Sequence, residues 1–305
     1  MSPYNDFSRK KSLSYKHNAY CFLSIENDAE LCRMLQCSFS ELAEAVNNPV
    51  YHTFEIPKKK GGKSIIDAPD SMLKEIQSRL NYFLNAYYLL IKPKVAFGFV
   101  IQPRSSGKIC SIAENAKPHV GKKQVLNIDI KDFFHYVSWQ NIYRSLTAVP
   151  FSLHHSVAES ICHLCTLNGR LPMGAPSSPA LSNIVAFELD NEIQNYCNGE
   201  GIIYTRYVDD MSFSSDAEIT GRHFTQLSGI VTGMGYPLRE EKIKWFKPGE
   251  IKTITGLSVK DGKVSVPDAY IHETEDEIKN LKAYVLMEAR LHPNKFSEQM
   301  FTVPV

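Results

Sequence analysis

The chain is predicted to fold as an α+β protein, because its predicted strands and helices follow one another in mixed order. Apolar residues alternate with period two over residues 124–130, which is typical of a strand. They recur instead at helical spacing after Asp70 and after Ser178. A Rossmann-type fold would require a regular alternation of strands and helices, which this order does not follow.

The composition is that of a globular protein and indicates no particular partner. Of the 305 residues, 43% are apolar and 22% are charged, and this length predicts about two compact units or one unit with subdomains. The formal net charge of +1 gives no reason to expect nucleic-acid binding. Lysines do cluster in residues 58–63, 117–123 and 242–252, but short basic runs are usually solvated surface.

The sequence predicts neither a membrane segment nor a disulfide framework. It has no run of about 18 apolar residues, and its start lacks the pattern of a signal peptide. The seven scattered cysteines favour reduced thiols, so a cytoplasmic location is expected. Cys162 and Cys165 lack a second pair that would complete a zinc site, which favours two buried thiols on a helix.

A hairpin and a helix are predicted between residues 53 and 87. Residues 53–67 contain two strand-like segments joined by a lysine- and glycine-rich turn, which predicts a hairpin with a basic tip. Asp70 is a predicted N-cap, because apolar residues recur at helical spacing from Leu73 to Tyr87.

The strand predicted over residues 124–130 ends in a carboxylate. Because side chains alternate along a strand, Asp129 shares a face with Val125 and Asn127 and lies among apolar neighbours. Ser138 then has the character of an N-cap for a helix that runs through about Leu146.

A second predicted hairpin carries two further acids. Ser178 and Pro179 first open a helix as N-cap and first helical residue. Residues 202–207 and 211–214 are strand-like and flank the turn Val208–Asp210. The turn therefore presents two adjacent carboxylates at its tip.

Asp129, Asp209 and Asp210 raise the question of what would hold three acids together. Carboxylates within a few ångströms of one another either acquire a raised pKa or bind a cation. Mg²⁺ takes oxygen ligands, and two such ions about 4 Å apart support in-line phosphoryl transfer. An Asp-Asp pair in a turn is by itself more often a solvated turn, so the surrounding motifs decide between these interpretations.

Three motifs in chain order resemble those of reverse transcriptases. Tyr207–Asp210 reads Y-V-D-D between two predicted strands, Asn127–Phe134 contains an acid followed by an aromatic, and Leu171–Asn183 is a turn followed by a helix. The resemblance implies a right-hand polymerase fold with fingers, palm and a small thumb, acting as an RNA-directed DNA polymerase on dNTPs. Two Mg²⁺ ions, or Mn²⁺ in their place, are the implied cofactors. The implied catalytic residues and metal ligands are Asp129, Asp209 and Asp210.

The resemblance extends beyond the palm. Residues 56–63 are similar to the fingers hairpin that holds the triphosphate in this family. Residues 96–99 resemble the start of the next fingers motif. Residues 235–242 resemble the segment that carries a lysine near the phosphates. The implied nucleotide-binding residues are Lys63, Ile130, Phe134, Gly174 and Lys242.

Several of these residues also have a plainer interpretation. Phe134 has the spacing of a steric gate against a ribonucleotide 2′-hydroxyl, or else it is a core aromatic. Lys63 on its Gly-Gly hairpin is a mobile phosphate clamp or a solvated cation, and Lys242 lies near two other lysines. Asp132 is not expected to bind metal, because the chain turns away from the strand there.

Two further motifs resemble those of bacterial retron reverse transcriptases. Asn115–His119 reads N-A-K-P-H, and Ile254–Gly256 reads I-T-G. The implied nucleic-acid-binding residues are Asn115, His119, Thr255 and Gly256. Asn115 and His119 are equally consistent with capping or filling the core. The sequence departs from the common pattern of the family at Lys63, Val208, Arg239 and Ile254.

The retron resemblance implies particular partners. These are a cognate structured non-coding RNA, its DNA product in an RNA–DNA hybrid, and an effector protein encoded nearby, with no membrane involved. It also implies priming from a ribose 2′-hydroxyl and a role in phage defence. The alternatives are another reverse transcriptase, of the group II intron or a defence-associated type, and a catalytically silent palm that serves as an RNA-binding scaffold. Three retained acids argue against the scaffold.

The resemblance also divides the chain into three parts. Residues 1–123 form the N-terminal region and fingers, and residues 124–257 form the palm, with a fingers insert around 140–175. Residues 258–305 form a short thumb or helical region. A capping box at Thr274–Glu277 predicts its helix.

Overall fold

The computed structural model describes residues 15–57, 61–101, 110–260, 262–267, 271 and 278–279. The helices are α1 (Tyr15–Leu23), α2 (Asp28–Leu35), α3 (Phe39–Asn47), α4 (Ser71–Ile91), α5 (Ile112–Ala116), α6 (Phe133–Tyr136), α7 (Trp139–Thr147), α8 (His155–Cys165), α9 (Ser178–Glu200) and α10 (Gly221–Gly233). The strands are β1 (Tyr51–Pro57), β2 (Lys63–Pro69), β3 (Gln124–Asp129), β4 (Ile203–Tyr207), β5 (Asp210–Ser215), β6 (Lys244–Phe246), β7 (Lys252–Ile254), β8 (Leu257–Lys260) and β9 (Lys263–Ser265). The mixed order confirms the α+β prediction.

The predicted basic hairpin is confirmed as the pair β1 and β2, here called the fingers hairpin. The strands are antiparallel, with Tyr51 opposite Pro69 and Pro57 opposite Lys63. Residues 58–60 at its tip lie outside the described residues. Most of β1 is exposed, so the hairpin projects from the body of the protein.

The helix predicted after Asp70 is confirmed as α4. The Asp70 carboxylate accepts a hydrogen bond from the Leu73 N–H at 2.8 Å, which satisfies one of the free donors at the helix start. Along its 21 residues α4 buries an apolar stripe against α1 and α9. The capping box at Ser138 likewise starts α7 where the sequence predicts it.

A four-stranded antiparallel sheet, here called the palm sheet, forms the centre of the protein. Its strand order is β4-β5-β3-β6. Leu126 and Ile128 on β3 and Met211 and Phe213 on β5 are fully buried, because α9 and neighbouring helices cover the apolar face of the sheet. The sheet therefore brings the ends of β3 and β5, which carry the predicted acids, onto one rigid platform.

The start of α9 corrects one predicted residue. The helix has Ser177 as its N-cap, whereas Ser178 was predicted to have that role. The Ser178 hydroxyl instead donates to the Pro172 carbonyl at 2.7 Å and ties the preceding turn to the helix. The predicted pair of thiols is confirmed, because Cys162 and Cys165 are free and buried on α8.

A small three-stranded sheet, β7-β8-β9, packs beside the palm sheet. A separate apolar core of Ala116, Val125, Ile254 and Val259 joins it to β3 and to α5. Most of the predicted thumb over residues 258–305, including the helix predicted at Thr274, lies outside the described residues. Within the part of the chain that is described, no helix is long and apolar enough to cross a membrane.

Candidate active site on the palm sheet

The three predicted acids lie together at one end of the palm sheet. Asp129 ends β3 and is the register partner of Asp210, the first residue of β5. Asp209 and Val208 form the two-residue turn between β4 and β5, here called the acidic turn, with Tyr207 paired to Asp210. The Ile130 N–H donates to the Asp209 carbonyl at 3.0 Å, which fixes the turn against β3.

Burial and mutual repulsion affect the ionisation of these acids. Burial, together with the charges of Asp129 and Asp209, raises the pKa of Asp210 to about 6. Burial and the charge of Asp129 also raise the pKa of Asp209. The site therefore holds negative charge that is incompletely offset by the protein, which is the condition under which carboxylates bind cations.

Two cations from the segment before β6 lie against Asp129. The Lys242 ammonium donates to Asp129 Oδ2 at 2.9 Å, and Arg239 Nε lies 3.6 Å from Asp129 Oδ1. Arg239 also contacts Asp132 Oδ1 at 2.9 Å. The expectation that Asp132 does not bind metal stays a prediction. The sequence singled out Arg239 only as a departure from the family pattern, and periodicity gives no signal for this contact.

The residues present fit a divalent cation in their chemistry. All three side chains offer carboxylate oxygens, the ligands that Mg²⁺ and Mn²⁺ prefer. Asp129 Oδ1 is buried and has no hydrogen-bond partner, as expected for an oxygen that is available to coordinate a cation. Over the described ranges, however, no three His, Cys, Asp or Glu side chains are gathered into a ready-made metal cage. If Asp129 held a metal ion, the contacts of its carboxylate with Lys242 and Arg239 would have to loosen.

A fully buried ion pair between β4 and α9 supports the acidic turn. Arg206 on β4 is 1% exposed and forms two hydrogen bonds of 2.7 Å with the Asp190 carboxylate on α9. Its remaining nitrogen donates to the Val208 carbonyl at 2.8 Å. Val208 has a positive φ of 63°, which is strained for a β-branched residue. The buried guanidinium thus stabilises an unfavourable backbone conformation directly beneath the acids.

The fingers segment after α4 makes a close approach to the same turn. A Cβ atom added to Gly98 would lie 2.4 Å from the Val208 nitrogen, so only glycine fits there. The Asn183 side chain donates to the Gly98 carbonyl at 2.9 Å and also accepts from Arg206. One network therefore joins α9, β4 and the fingers at the acidic turn, and the sequence patterns did not reveal it.

Ile130 directly follows Asp129, and Phe134 packs against Phe99 and Phe133. The nucleotide contacts predicted for both residues stay predictions. Phe134, at the start of α6, is partly buried and packs edge-on against Phe99 at 6.0 Å and Phe133 at 6.2 Å between ring centroids. The Ile130 side chain is fully buried, so only its main chain is available to a ligand.

Lys63 is the first residue of β2, and Gly174 packs against the same strand. Lys63 is exposed and forms an ion pair with Glu55 across the fingers hairpin. Gly174 has a φ of 124°, and an added Cβ would lie 2.8 Å from the Ile66 side chain, so packing against β2 already explains the glycine. The nucleotide contacts predicted for both residues stay predictions.

Asn115 and His119 are completely buried beneath the palm sheet. The two ring nitrogens of His119 lie 2.7 Å from the Ser214 hydroxyl and 2.8 Å from the Thr205 hydroxyl, and burial lowers its pKa to about 3. Neither side chain reaches the surface in this structure, which matches the core interpretation that the sequence left open. Their predicted contact with nucleic acid stays a prediction.

Thr255 and Gly256 form the two-residue turn between β7 and β8. Thr255 is partly buried and Gly256 is exposed. The Asn115 side chain donates to the Thr255 hydroxyl at 2.8 Å, so the two short family motifs are in direct contact. A role for either turn residue in binding nucleic acid stays a prediction.

The chain matches a known protein family. The model for the family described as reverse transcriptase (RNA-dependent DNA polymerase) matches residues 56–281. The chain is 31% identical to the retron Mx65 reverse transcriptase of Myxococcus xanthus, over 79% of this chain and 56% of that protein. It is 28% identical to the retron Ec48 reverse transcriptase of Escherichia coli, over 83% of this chain and 64% of that protein. The chain thus spans less than two thirds of these curated relatives.

Solved structures similar to the chain include apo telomerase from Candida tropicalis truncated from the C-terminal domain. The TM-score is 0.49 at 13% identity, over 71% of this chain and 55% of that one. Because the family model covers well over half of the residues and includes the palm sheet, the predicted right-hand fold and the recognition of the family are confirmed. The chain belongs to the reverse transcriptase (RNA-dependent DNA polymerase) family.

Proposed function

We propose that the chain is an RNA-directed DNA polymerase that copies a cognate structured non-coding RNA into DNA. The observation that carries this proposal is the pairing of Asp129 with Asp210 across β3 and β5, with Asp209 in the adjoining turn. Three oxygen-donor side chains at one end of a rigid sheet are suited to nucleotidyl transfer from dNTPs, and two Mg²⁺ ions are the cofactors that we propose.

The protein's own residues prepare the site for that reaction. Asp129, Asp209 and Asp210 would hold the ions, which supply positive charge at the phosphates and ease deprotonation of the attacking hydroxyl. The Lys242 ammonium donates to Asp129 Oδ2 and so places a positive charge beside the acids, and we propose that this charge attracts the triphosphate. Phe134, packed between Phe99 and Phe133, is proposed to exclude nucleotides that carry a 2′-hydroxyl.

The partners and the biological role are extensions of the same proposal. With a net charge of +1, affinity for arbitrary RNA should be modest, because non-specific binding rests on counterion release at contacted phosphates. Tight binding would instead require a folded RNA whose shape places its phosphates against the lysine clusters around residues 117–123 and 242–252. We further propose cytoplasmic synthesis primed from a 2′-hydroxyl, and a role in phage defence with an effector protein.

The nucleic acid that copurifies with the protein tests this proposal. Digestion with RNase and with DNase separately should show one RNA covalently linked to DNA. In competition binding at fixed salt, that RNA should bind at least about 100-fold more tightly than an unrelated RNA of equal length, a gap of about 2.7 kcal/mol. Equal affinities for the two RNAs would contradict the proposed retron function and would indicate a reverse transcriptase without a cognate RNA.

Synthesis itself is tested by dNTP incorporation on an RNA template with Mg²⁺, before and after chelation. The proposal predicts DNA product that chelation abolishes and that added Mg²⁺ restores. Absence of product on every template, including the copurified RNA, would support the scaffold alternative.

A further inference from the structure

The Arg239 side chain lies between two acids, Asp129 and Asp132, and contacts them unequally. Its Nη2 donates to Asp132 Oδ1 at 2.9 Å, whereas its Nε lies 3.6 Å from Asp129 Oδ1, which is too far for a hydrogen bond. The guanidinium is therefore bonded to the acid that is not a predicted metal ligand and stands off from the acid that is.

The main chain of Arg239 is fixed beside β3, so only its side chain can move between the two acids. Its N–H donates to the Asp129 carbonyl at 2.9 Å, and its carbonyl accepts from the Lys242 N–H at 3.0 Å. The Lys131 N–H likewise donates to the Pro237 carbonyl at 2.9 Å. The position of the guanidinium is consequently decided by which carboxylate it bonds to.

Asp132 has a carboxylate that its own helix does not use. It is the N-cap of α6 with a φ of 46°, a backbone region that Asp and Asn adopt more readily than most residues. An aspartate at this position ordinarily accepts a hydrogen bond from the first turn of its helix, but the Asp132 side chain makes no such bond. It accepts from Arg239 instead, so its role lies outside the helix.

The two carboxylate oxygens of Asp129 differ in their partners. Oδ2 accepts from the Lys242 ammonium at 2.9 Å, whereas Oδ1 is buried and has no hydrogen-bond partner among the described residues. A guanidinium carries five N–H donors, and a buried carboxylate oxygen beside one ordinarily accepts from it. Oδ1 is therefore left unpaired while Arg239 is bonded to Asp132.

We propose that Asp132 is a positioning residue that holds the Arg239 guanidinium away from Asp129 Oδ1, so that this oxygen stays available to a divalent cation. The inference rests on the proposed function, because it takes Asp129 as a metal ligand. Without the Asp132 charge, the guanidinium would form a charge-assisted hydrogen bond with Asp129. A metal ion would then compete with both Lys242 and Arg239 for one carboxylate.

Asp132→Asn tests this role, because asparagine keeps the shape of the side chain and tolerates the positive φ but lacks the charge. Binding of Mn²⁺ to the full chain is followed by electron paramagnetic resonance, and binding that persists in Asp129→Asn is subtracted. We expect the Kd for Mn²⁺ to rise by about 10-fold in Asp132→Asn, as is typical when an outer partner of a metal ligand is lost. The melting temperature should stay close to that of wild type.

Arg239→Gln separates this role from a plain loss of negative charge. Alone, it should leave the Kd for Mn²⁺ equal to or below that of wild type, because it removes a competing cation. Adding Asp132→Asn to Arg239→Gln should then change the Kd by less than about twofold, since no guanidinium remains to be held. An equal rise in both backgrounds would contradict the proposal and would indicate that Asp132 itself binds or attracts the ion.

Glu241→Gln is the matched control, because Glu241 is another acid near Arg239. Its carboxylate lies 3.9 Å from Arg239 Nε, too far for a hydrogen bond, and its side chain is 76% exposed. We expect a Kd for Mn²⁺ within about twofold of wild type, because solvent and salt screen exposed charges. A rise as large as that of Asp132→Asn would assign the effect to general electrostatics and rule out a specific role for Asp132.

A crystal structure of metal-free Asp132→Asn tests the geometry without metal binding or catalysis. A guanidinium nitrogen of Arg239 should lie about 3 Å from Asp129 Oδ1, and an unmoved guanidinium would overturn the proposal. If the wild-type protein makes no DNA, the proposed function fails, while the Mn²⁺ series and this structure still report on Asp132. Equal Mn²⁺ affinities of wild type and Asp132→Asn would refute the positioning role and leave the proposed function standing.

Discussion

In the acidic turn the main chain is held by buried polar side chains, whereas in the fingers hairpin it is held mainly by pairing of the two strands. Arg206 and Asp190, which support the turn, are both almost completely buried. On the hairpin, the Lys63 and Glu55 side chains are 66% and 52% exposed, and Ile56 and Ile65 also face solvent. An isolated two-stranded hairpin is marginally stable in water.

This difference indicates that the two regions contribute differently to ligand binding. A preformed palm loses little freedom when a ligand binds, because its groups are already ordered. The fingers hairpin has few buried contacts that resist a change of position, which suits an element that adapts to an incoming nucleotide. Substitutions in the palm should therefore affect stability or catalytic rate strongly, and substitutions in the hairpin should affect nucleotide binding mildly.

The largest effect on stability is expected for Arg206→Met. The change leaves the Asp190 carboxylate buried without its partner and frees the Val208 carbonyl. We expect a loss of about 3–5 kcal/mol in the free energy of unfolding, measured by urea denaturation. Arg222→Met on the exposed face of α10 is the matched control, with an expected change below about 0.5 kcal/mol. Similar values for both would mean that the network does not stabilise the turn.

Asp210→Asn should stabilise the metal-free protein at high pH. The folded pKa of Asp210, about 6, lies above its ordinary value of 3.8. The folded state therefore binds more protons between these values, so stability is present below about pH 4 and is lost as pH rises to about 6. The variant avoids that loss and should be more stable by about 2–3 kcal/mol at pH 8, with no difference at pH 4.

Thermal unfolding in a chelator at both pH values provides the measurement. Asp216→Asn is the control, because Lys122 lowers the pKa of that exposed acid. Removing the Asp216 charge should therefore not raise the melting temperature at pH 8. Equal melting temperatures of Asp210→Asn and wild type at pH 8 would show that the acids do not repel one another as described.

Phe134→Ala should weaken discrimination against ribonucleotides. If the ring excludes the 2′-hydroxyl by contact, removing it lowers the ratio of kcat/KM for dNTP over rNTP by roughly 10- to 100-fold. Tyr136→Ala, on the exposed side of the same short helix, should leave the ratio unchanged. An unchanged ratio in Phe134→Ala would return Phe134 to a purely structural role in packing against Phe99.

The smallest effect is expected on the fingers hairpin. Lys63→Ala removes a surface ion pair with Glu55, which contributes at most about 1 kcal/mol. We expect unfolding to change by less than about 0.5 kcal/mol and KM for dNTP to rise by a few fold, with kcat nearly constant. Lys74→Ala on α4 is the control. A large fall in kcat for Lys63→Ala would show that the fingers hairpin is part of the preformed site, like the acidic turn.

Sequence patterns predicted the strands and turns of the site better than the side-chain contacts between them. Alternation and turn residues located Asp129 and the acidic turn, because strand faces and hairpins are local properties. The contacts of Arg206 with Asp190 and of Asn115 with Thr255 join residues that are 16 and 140 positions apart. Such pairings depend on how the elements pack, so no local pattern reveals them. The predicted N-cap at Ser178 was wrong by one residue, since Ser177 has that position and the Ser178 hydroxyl donates to the Pro172 carbonyl of the preceding turn.

Primer extension by Asp209→Asn tests the central claim most directly. The variant removes one charge from the site while keeping the size of the side chain, so the account predicts normal folding and RNA binding. DNA synthesis with Mg²⁺ should fall by on the order of 10³-fold, because several kcal/mol of charge stabilisation are lost. Asp216→Asn, an exposed acid beyond β5, should be as active as wild type. Full synthesis by Asp209→Asn would contradict the assignment of these acids.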